Sequence, residues 1–445
     1  MNTKLIFATV FTLGIIALSL LLLAGSAGAA PYEEWNRTFR SAGNSSAYSV
    51  QQTADGGYLI SGSTCSSYEP WQCNPWILKT DEDGNEQWNK TFSSDYGARS
   101  ILQTRDEGYI FADRSLVKID VNGNEQWAKT IGGTIYSVQE TSDGGYIGAG
   151  LIPEEPGSDH PNGWLIKIDA NGDEQWNRTF WGRGFGIIES VQQTTDSGYV
   201  LAGIRTSRED GGGAWLIKVD ANGNELWNRT FGEWNRTFGG RGEMAYSVQQ
   251  TGDGGYILAG FGFLFIKADA DGNMQWGKNK KFKGKDLALA RSARQTSDGG
   301  YIIAGDAYST GGSNMDSWLI KVDENGNEQW NMTFSGVQNS EAYSVQQTKD
   351  GSYIFAGTTF SSTGRSYAWL RKIGGEQTGT AKTPAASPTV KTSPTVTIIA
   401  SPTQSLTAVP TETQTVNPTE KIAGFEAVLA ITILLAVYIT GRRRW

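Results

Sequence analysis

Few side chains in this sequence could move a proton or hold a metal, and most of those recur at fixed spacing. His160 is the sole histidine, which excludes histidine-based triads and multi-histidine metal sites. Asp55, Asp106, Asp143, Asp196, Asp253, Asp298 and Asp350 share one slot of a recurring stretch, clearest as AYSVQQTGDGGYILAG at Ala245 to Gly260. A second acidic motif, DVNGNE at Asp120 to Glu125, returns as DEDGNE, DANGDE, DANGNE, DADGNM and DENGNE. Oxygen ligands two residues apart would suit calcium, but glycine stands fourth instead of sixth and no bidentate glutamate closes the loop. A hairpin turn demands the same Asp, Asn and Gly. No cofactor is therefore expected, with calcium as the alternative. Asp113, Arg114 and Glu189 break the repeat and are the candidates for a carboxylate-based site. Glu154 and Glu155, adjacent in a loop, read as solvated.

The other candidates for chemistry are aromatic and charged residues between the repeated stretches: Tyr68, Trp71, Trp181, Phe185, Arg205, Arg208, Tyr308 and Tyr367. Rings with scattered arginines suit glycan or protein recognition; the alternative is ordinary loop packing. Ser49, Ser100, Ser137, Ser190, Ser247, Ser292 and Ser344 hold one slot in every repeat. A small residue suits strands crowded around an axis, and a sevenfold ring of hydroxyls is the alternative reading.

These residues are positioned by seven copies of one unit, about 50 residues apart, a period that means stacked or circular repeats. Each copy divides into four strand-like pieces: YSVQQT, then GYIIAG, then WLIKVD, then EQWNMTF. Asp-Gly and Asn-Gly turns between β-rich runs are hairpin signals, because glycine accepts the positive φ such turns need. Four antiparallel strands per unit make a propeller blade, so the expected fold is all-β, a seven-bladed β-propeller. The seventh copy ends at WLRKI (Trp369 to Ile373) without a fourth strand, while a spare WNRTF (Trp35 to Phe39) precedes the first. The N-terminal strand is expected to complete the last blade, leaving no open edge at the closure. Tryptophans recur too: Trp35, Trp88, Trp127, Trp176, Trp227, Trp276 and Trp330 in the fourth piece, and Trp76, Trp164, Trp215, Trp318 and Trp369 opening the third. Repeated slots of this kind are packing slots between blades. Alternation of the strands puts the short, uniform turns on one face and the variable loops on the other, where binding residues usually gather.

The ends describe export and tethering. Residues 1–30 read as a signal peptide: Lys4, an apolar run from Leu5 to Ala24, and a small-residue cleavage site at Ala27-Gly28-Ala29; an uncleaved anchor is the alternative. Export permits disulfides, and the two cysteines, Cys65 and Cys73, flank one short loop that a bridge would close. The propeller is expected over 31–376. Residues 377–421 hold six of the 12 prolines among Thr, Ser, Ala and Val, a composition that cannot bury a core and reads as a disordered stalk. Residues 422–445 contain an apolar run long enough to span a bilayer as one transmembrane helix, followed by Arg442, Arg443 and Arg444, which belong inside. The stretch AGFEAVLAITILLAVYITGRRR resembles the PGF-type C-terminal sorting signal of archaeal surface proteins, with Ala423-Gly424-Phe425 where that pattern has Pro-Gly-Phe. The resemblance implies processing by an archaeosortase-like enzyme and replacement of the tail by a lipid. The repeat itself resembles the kelch and quinoprotein propellers, from which no cofactor pocket carries over.

Asn36, Asn44, Asn89, Asn177, Asn228, Asn235 and Asn331 head glycosylation sequons. Six lie in the fourth-strand motif, where sugars would shield the blade edges; the alternative is a sequon copied with its strand. Composition sets further limits: 38 basic against 46 acidic residues, net -8, lacks the basic surplus of a nucleic-acid binder. The expectation is a non-enzymatic binding or adhesion module on the extracellular face of the membrane, with a glycan or protein partner met by the variable-loop face. The alternatives are a structural cell-envelope (S-layer-associated) component and a carboxylate-based polysaccharide-cleaving enzyme.

Overall fold

A computed structural model of the chain describes residues 30–40, 43–66, 73–94, 96–154, 160–180, 184–207, 211–232, 243–262, 264–277, 288–308, 314–335 and 339–374. The chain divides into two units, Met1–Glu376 and Gln377–Trp445. The signal peptide, stalk and membrane anchor expected from the sequence lie outside the described residues, as do Tyr68, Trp71, Trp181, Arg208 and Asn235. Among the described residues no helix is long and apolar enough to cross a membrane.

Seven four-stranded antiparallel sheets make a seven-bladed β-propeller. Blade one comprises Asn44–Gln52, Tyr58–Cys65, Cys73–Thr80 and Glu86–Thr91, paired in that order. Blades two to six repeat it over 100–130, 134–180, 184–231, 245–276 and 288–334. The seventh sheet holds Ser340–Gln347, Tyr353–Phe360 and Ser366–Gly374. Its outer place is taken by Tyr32–Phe39, which pairs antiparallel with the last of these from Tyr32↔Gly374 to Phe39↔Ala368.

The second and third strands are buried on both faces because each blade is sandwiched between two others; this is why they read as apolar runs. The fourth strands alternate half-buried and exposed residues, as expected of an outer edge. One aromatic pair recurs at every interface. The fourth-strand tryptophan of one blade meets, edge-on or tilted, the tyrosine that opens the second strand of the next: Trp88–Tyr109 at 6.0 Å, Trp127–Tyr146 at 6.2 Å, Trp176–Tyr199 at 6.1 Å, Trp227–Tyr256 at 5.8 Å, Trp276–Tyr301 at 5.9 Å and Trp330–Tyr353 at 5.7 Å. Trp35 makes the same contact with Tyr58 at 5.8 Å, so blade seven meets blade one as any other neighbours meet. The Trp35 ring also lies under Gly84, whose φ is +77° and where a Cβ would stand 2.7 Å from a ring carbon. The Asp83-Gly84 turn is thus fixed twice, by backbone conformation and by the neighbouring ring.

A second repeated device is an ion pair. The lysine of the third strand is buried in six blades and half-buried in the seventh (Lys372), and its Nζ reaches the aspartate of the turn between the first two strands: Lys79–Asp55 at 2.9 Å, Lys167–Asp143 at 3.0 Å, Lys218–Asp196 at 2.9 Å, Lys321–Asp298 at 2.7 Å. The same aspartate accepts hydrogen bonds from the threonine two residues before it and the backbone N–H two residues after it, as Asp196 does from Thr194 and Gly198 at 2.5 and 3.1 Å. Burial opposes ionisation of these carboxyls, but the donors outweigh it and hold Asp143, Asp196, Asp253 and Asp350 at about 2. The repeated aspartate is therefore part of the frame.

Candidate functional site

The first strand of each blade surrounds the axis, and six of the seven carry a β-bulge at one slot, between Ala47 and Ser49, Ile135 and Ser137, Ile188 and Ser190, Ala245 and Ser247, Ala290 and Ser292, and Ala342 and Ser344. A bulge inserts one unpaired residue and re-aims its side chain. The residues re-aimed here are Tyr48, Tyr136, Glu189, Tyr246, Arg291 and Tyr343, with Arg99 in the matching position of blade two. They converge on the axis. Arg99 of blade two lies in the field of Tyr136, Glu189, Tyr48 and Tyr343 from blades three, four, one and seven. Glu189 feels Arg99 and Arg291, each two blades away.

In six of the seven blades the serine after this slot has a task beyond the steric one its size suggests. Its Oγ accepts the N–H of the residue following the equivalent serine in the next blade: Val138 to Ser100, Val191 to Ser137, Val248 to Ser190 and Val50 to Ser344, each at 3.2 Å. The glutamines that follow extend this stitching. Gln51, Gln139, Gln192, Gln249 and Gln346 accept the N–H of the next blade's second glutamine at 2.5–2.9 Å. The second glutamine reaches back to the turn of the preceding blade, as Gln250 does to Thr195 N–H and Gln52 of blade one does to Lys349 N–H of blade seven, both at 2.9 Å. The constant letters of YSVQQT are thus committed to blade-to-blade hydrogen bonds. The bulged residue is free to vary, and does: Tyr, Arg, Tyr, Glu, Tyr, Arg, Tyr around the ring.

The two ring arginines are held differently. Arg291 is tied down: Nε donates to the buried Asp306 at 2.6 Å, Glu341 stands 3.9 Å from its Nη2, and its guanidinium lies 4.4 Å from the Tyr343 ring centroid. Burial raises the Asp306 carboxyl and the adjacent guanidinium works against it. Arg99 is exposed to solvent yet walled by the channel, and lies 4.8 Å over Tyr136. Among the described residues its guanidinium makes no ion pair or hydrogen bond. Glu189, half-buried, likewise makes none, and enclosure raises its carboxyl against the pull of Arg99 and Arg291. Tyr48 and Tyr343 close the far side, edge to face at 5.3 Å.

The loop residues singled out from sequence are spread over several blades. Phe185 and Tyr308 are half-buried in extended hairpins, paired with Thr206 and Met315. Tyr367 is half-buried beneath Arg40, 5.3 Å from its centroid. Arg205 departs from expectation: it sits within strand Tyr199–Ser207 at 8% exposure, because the second and third strands of blade four extend beyond their repeated cores and enclose it. Cys65 and Cys73 are cross-strand partners joined by a disulfide. Asp113 is buried and accepts from Ser94 Oγ and Ser115 N–H, both at 2.6 Å, while Arg114 lies 3.9 Å over Tyr96. Asp113 is thus tied into its own loop, and only Glu189 of the three repeat-breaking residues stands on the ring.

In the acidic turns, Asp120 Oδ1 accepts the N–H groups of Asn122 and Asn124, and Oδ2 accepts the Asn124 amide. The turn's own donors occupy the oxygens a calcium ion would need. The sequon residues Asn36, Asn89, Asn177 and Asn331 are exposed on outer strands. Asn228 is half-buried, and Asn44 accepts Ser366 N–H across blades. Sequence reasoning missed the ring, although its signal is present: one varying position between constant neighbours.

No protein-family model matches the chain, nor does any curated protein sequence. Among solved structures the chain is similar to the WD40 domain of Pan2 from Neurospora crassa, at 11% identity and TM-score 0.51, covering 76% of this chain and 95% of that one. It is more distantly similar to BamB from Moraxella catarrhalis (12% identity, TM-score 0.39, 77% and 98% covered) and to YCF48 bound to D1 peptide (12%, 0.45, 76% and 98%). The likeness to the Pan2 domain is one of fold.

Proposed function

We propose that the protein is a binding module displayed on the outside of the cell, tethered by the 377–421 stalk and the 422–445 anchor, which engages a protein or glycan partner at the axial mouth of its propeller. The observation that carries the reading is the ring itself. Six of its seven residues project from bulges, and the seven vary among Tyr, Arg and Glu while their neighbours are fixed by inter-blade hydrogen bonds. Tyrosines with guanidinium and carboxylate groups supply large amphipathic contacts, which dominate recognition surfaces. Phe185, Tyr308 and Tyr367, half-buried near strand ends, serve as rim contacts in this reading. A non-enzymatic role is part of this reading, and the commitment of Asp113 and Asp306 to structural partners supports it.

Two measurements test this. Protease shaving of intact cells should release the propeller. On an array of glycans and cell-surface proteins, the full-length protein should give hits that Tyr136→Ala and Tyr246→Ala abolish while its melting temperature is kept. Hits unaffected by both substitutions, or a propeller inaccessible from outside, would overturn the reading.

A further inference from the structure

Arg99 and Glu189 occupy equivalent slots two blades apart, on either side of Tyr136, and carry opposite charges on one wall of the channel. The fold provides its own control for a structural arginine in this slot. Arg291 is neutralised by Asp306 from its own blade and Glu341 from the next. At the positions corresponding to those two carboxylates, the surroundings of Arg99 have Arg114 and Thr134. Among the described residues no carboxylate is therefore within ion-pair distance of Arg99, and both slots that supply one to Arg291 are filled by other residues. Arg294, further along the same strand as Arg291, donates to Ser247 Oγ and Ala293 O at 3.1 and 3.0 Å. Arg99 differs from both: among the described residues it has only the Tyr136 ring beneath it. Glu189, likewise without an ion pair among the described residues, lies within its field but beyond ion-pair distance.

Two enclosed charges of opposite sign, held apart, select for a ligand that brings both counter-charges. A polyanion would be welcomed by Arg99 and repelled by Glu189, and a polycation the reverse. We propose that the axial ring receives a peptide segment of a partner protein bearing one acidic and one basic side chain, the acid pairing with Arg99 and the base with Glu189, with Tyr136 and Tyr246 packing against the backbone between and beside them. A peptide is the macromolecule that carries both signs within a few ångströms, whereas acidic glycans carry one. This deepens the binding-module reading and rests on it.

The test uses the full-length protein in detergent micelles and an array of short peptides in which one Glu and one Lys are placed at varying separation. Glu-only, Lys-only and uncharged peptides of equal length and oligogalacturonate complete the probes. Mixed-charge peptides should bind at least about tenfold tighter than every other probe, as one charge-assisted pair implies. Arg99→Gln or Glu189→Gln should each weaken that binding about 10- to 100-fold. The double exchange Arg99→Glu/Glu189→Arg should bind the peptides with Glu and Lys interchanged, a rescue that a merely destabilising substitution could not produce. Equal binding of oligogalacturonate or Glu-only peptides, indifference to Glu189→Gln, or no binding of any peptide would overturn the inference. In those cases hits on the glycan and protein array that still depend on Tyr136 and Tyr246 would leave the broader reading standing, and their absence would remove both.

Discussion

Replacing Trp35 with alanine tests whether the first described strand is part of the ring or an appendage to it. Complete truncation of a buried tryptophan costs ~3–5 kcal/mol. Trp35 is half-buried, so about half of that applies, and loss of the edge-on contact with Tyr58 adds up to ~1 kcal/mol. The expected cost is ~2–3 kcal/mol. Trp176 is the internal reference, because its surroundings match: Tyr199 at 6.1 Å, the Gly223 turn against its ring, and Arg178 at 5.2 Å where Trp35 has Arg37 at 5.4 Å. Urea unfolding of the full-length protein, followed by far-ultraviolet circular dichroism, should give the same loss for Trp35→Ala and Trp176→Ala within about 0.5 kcal/mol. A Trp35→Ala protein as stable as the parent, beside a destabilised Trp176→Ala protein, would refute the reasoning.

Three further outcomes follow from the repeated contacts. Asp196→Asn should cost ~1–2 kcal/mol, less than the ~3–5 of a fully buried pair because the carboxylate side is open to water; Lys218→Met should cost less still, since it leaves no cation buried, and the reverse order in chemical denaturation would show that the pair acts otherwise. The turn aspartates have folded pKa values held down to about 2 against ~3.9 unfolded, so their contribution is complete above about pH 4 and lost as pH falls toward 2; melting temperature should drop across that window, and a flat profile there would contradict it. Ser190→Ala should cost ~1–2 kcal/mol by orphaning Val248 N–H, whereas a purely steric role predicts no change in the urea midpoint.

The blades are legible in the sequence because each strand type carries its own signal: turn glycines at fixed offsets, apolar central strands, and a tryptophan that recurs wherever two blades touch. Less legible is the division of labour within YSVQQT. Serine is small and polar, so its constancy fits crowding as well as hydrogen bonding; only the paired coordinates of neighbouring blades show Val248 N–H directed at Ser190 Oγ. The bulge is harder still, since it shifts the register by one residue and sends Tyr246 to the axis where simple alternation would place Ser247. Attention to loops followed from the rule that variation marks function. The varying residue lay inside the most constant stretch of the chain, between alanine or isoleucine and serine. Arg205 shows the opposite failure: it reads as a loop arginine, but the hairpin of blade four continues past it and buries it.

Hydrogen exchange of the full-length protein, free and with its tightest-binding probe from the peptide and glycan arrays, tests the axial site most directly. The account predicts protection concentrated in 96–103, 134–140 and 184–193, the strands that carry Arg99, Tyr136 and Glu189 and the approach to them. Protection of the short turns at 53–57 and 194–198, or of the outer strands, with these segments unchanged, would contradict it.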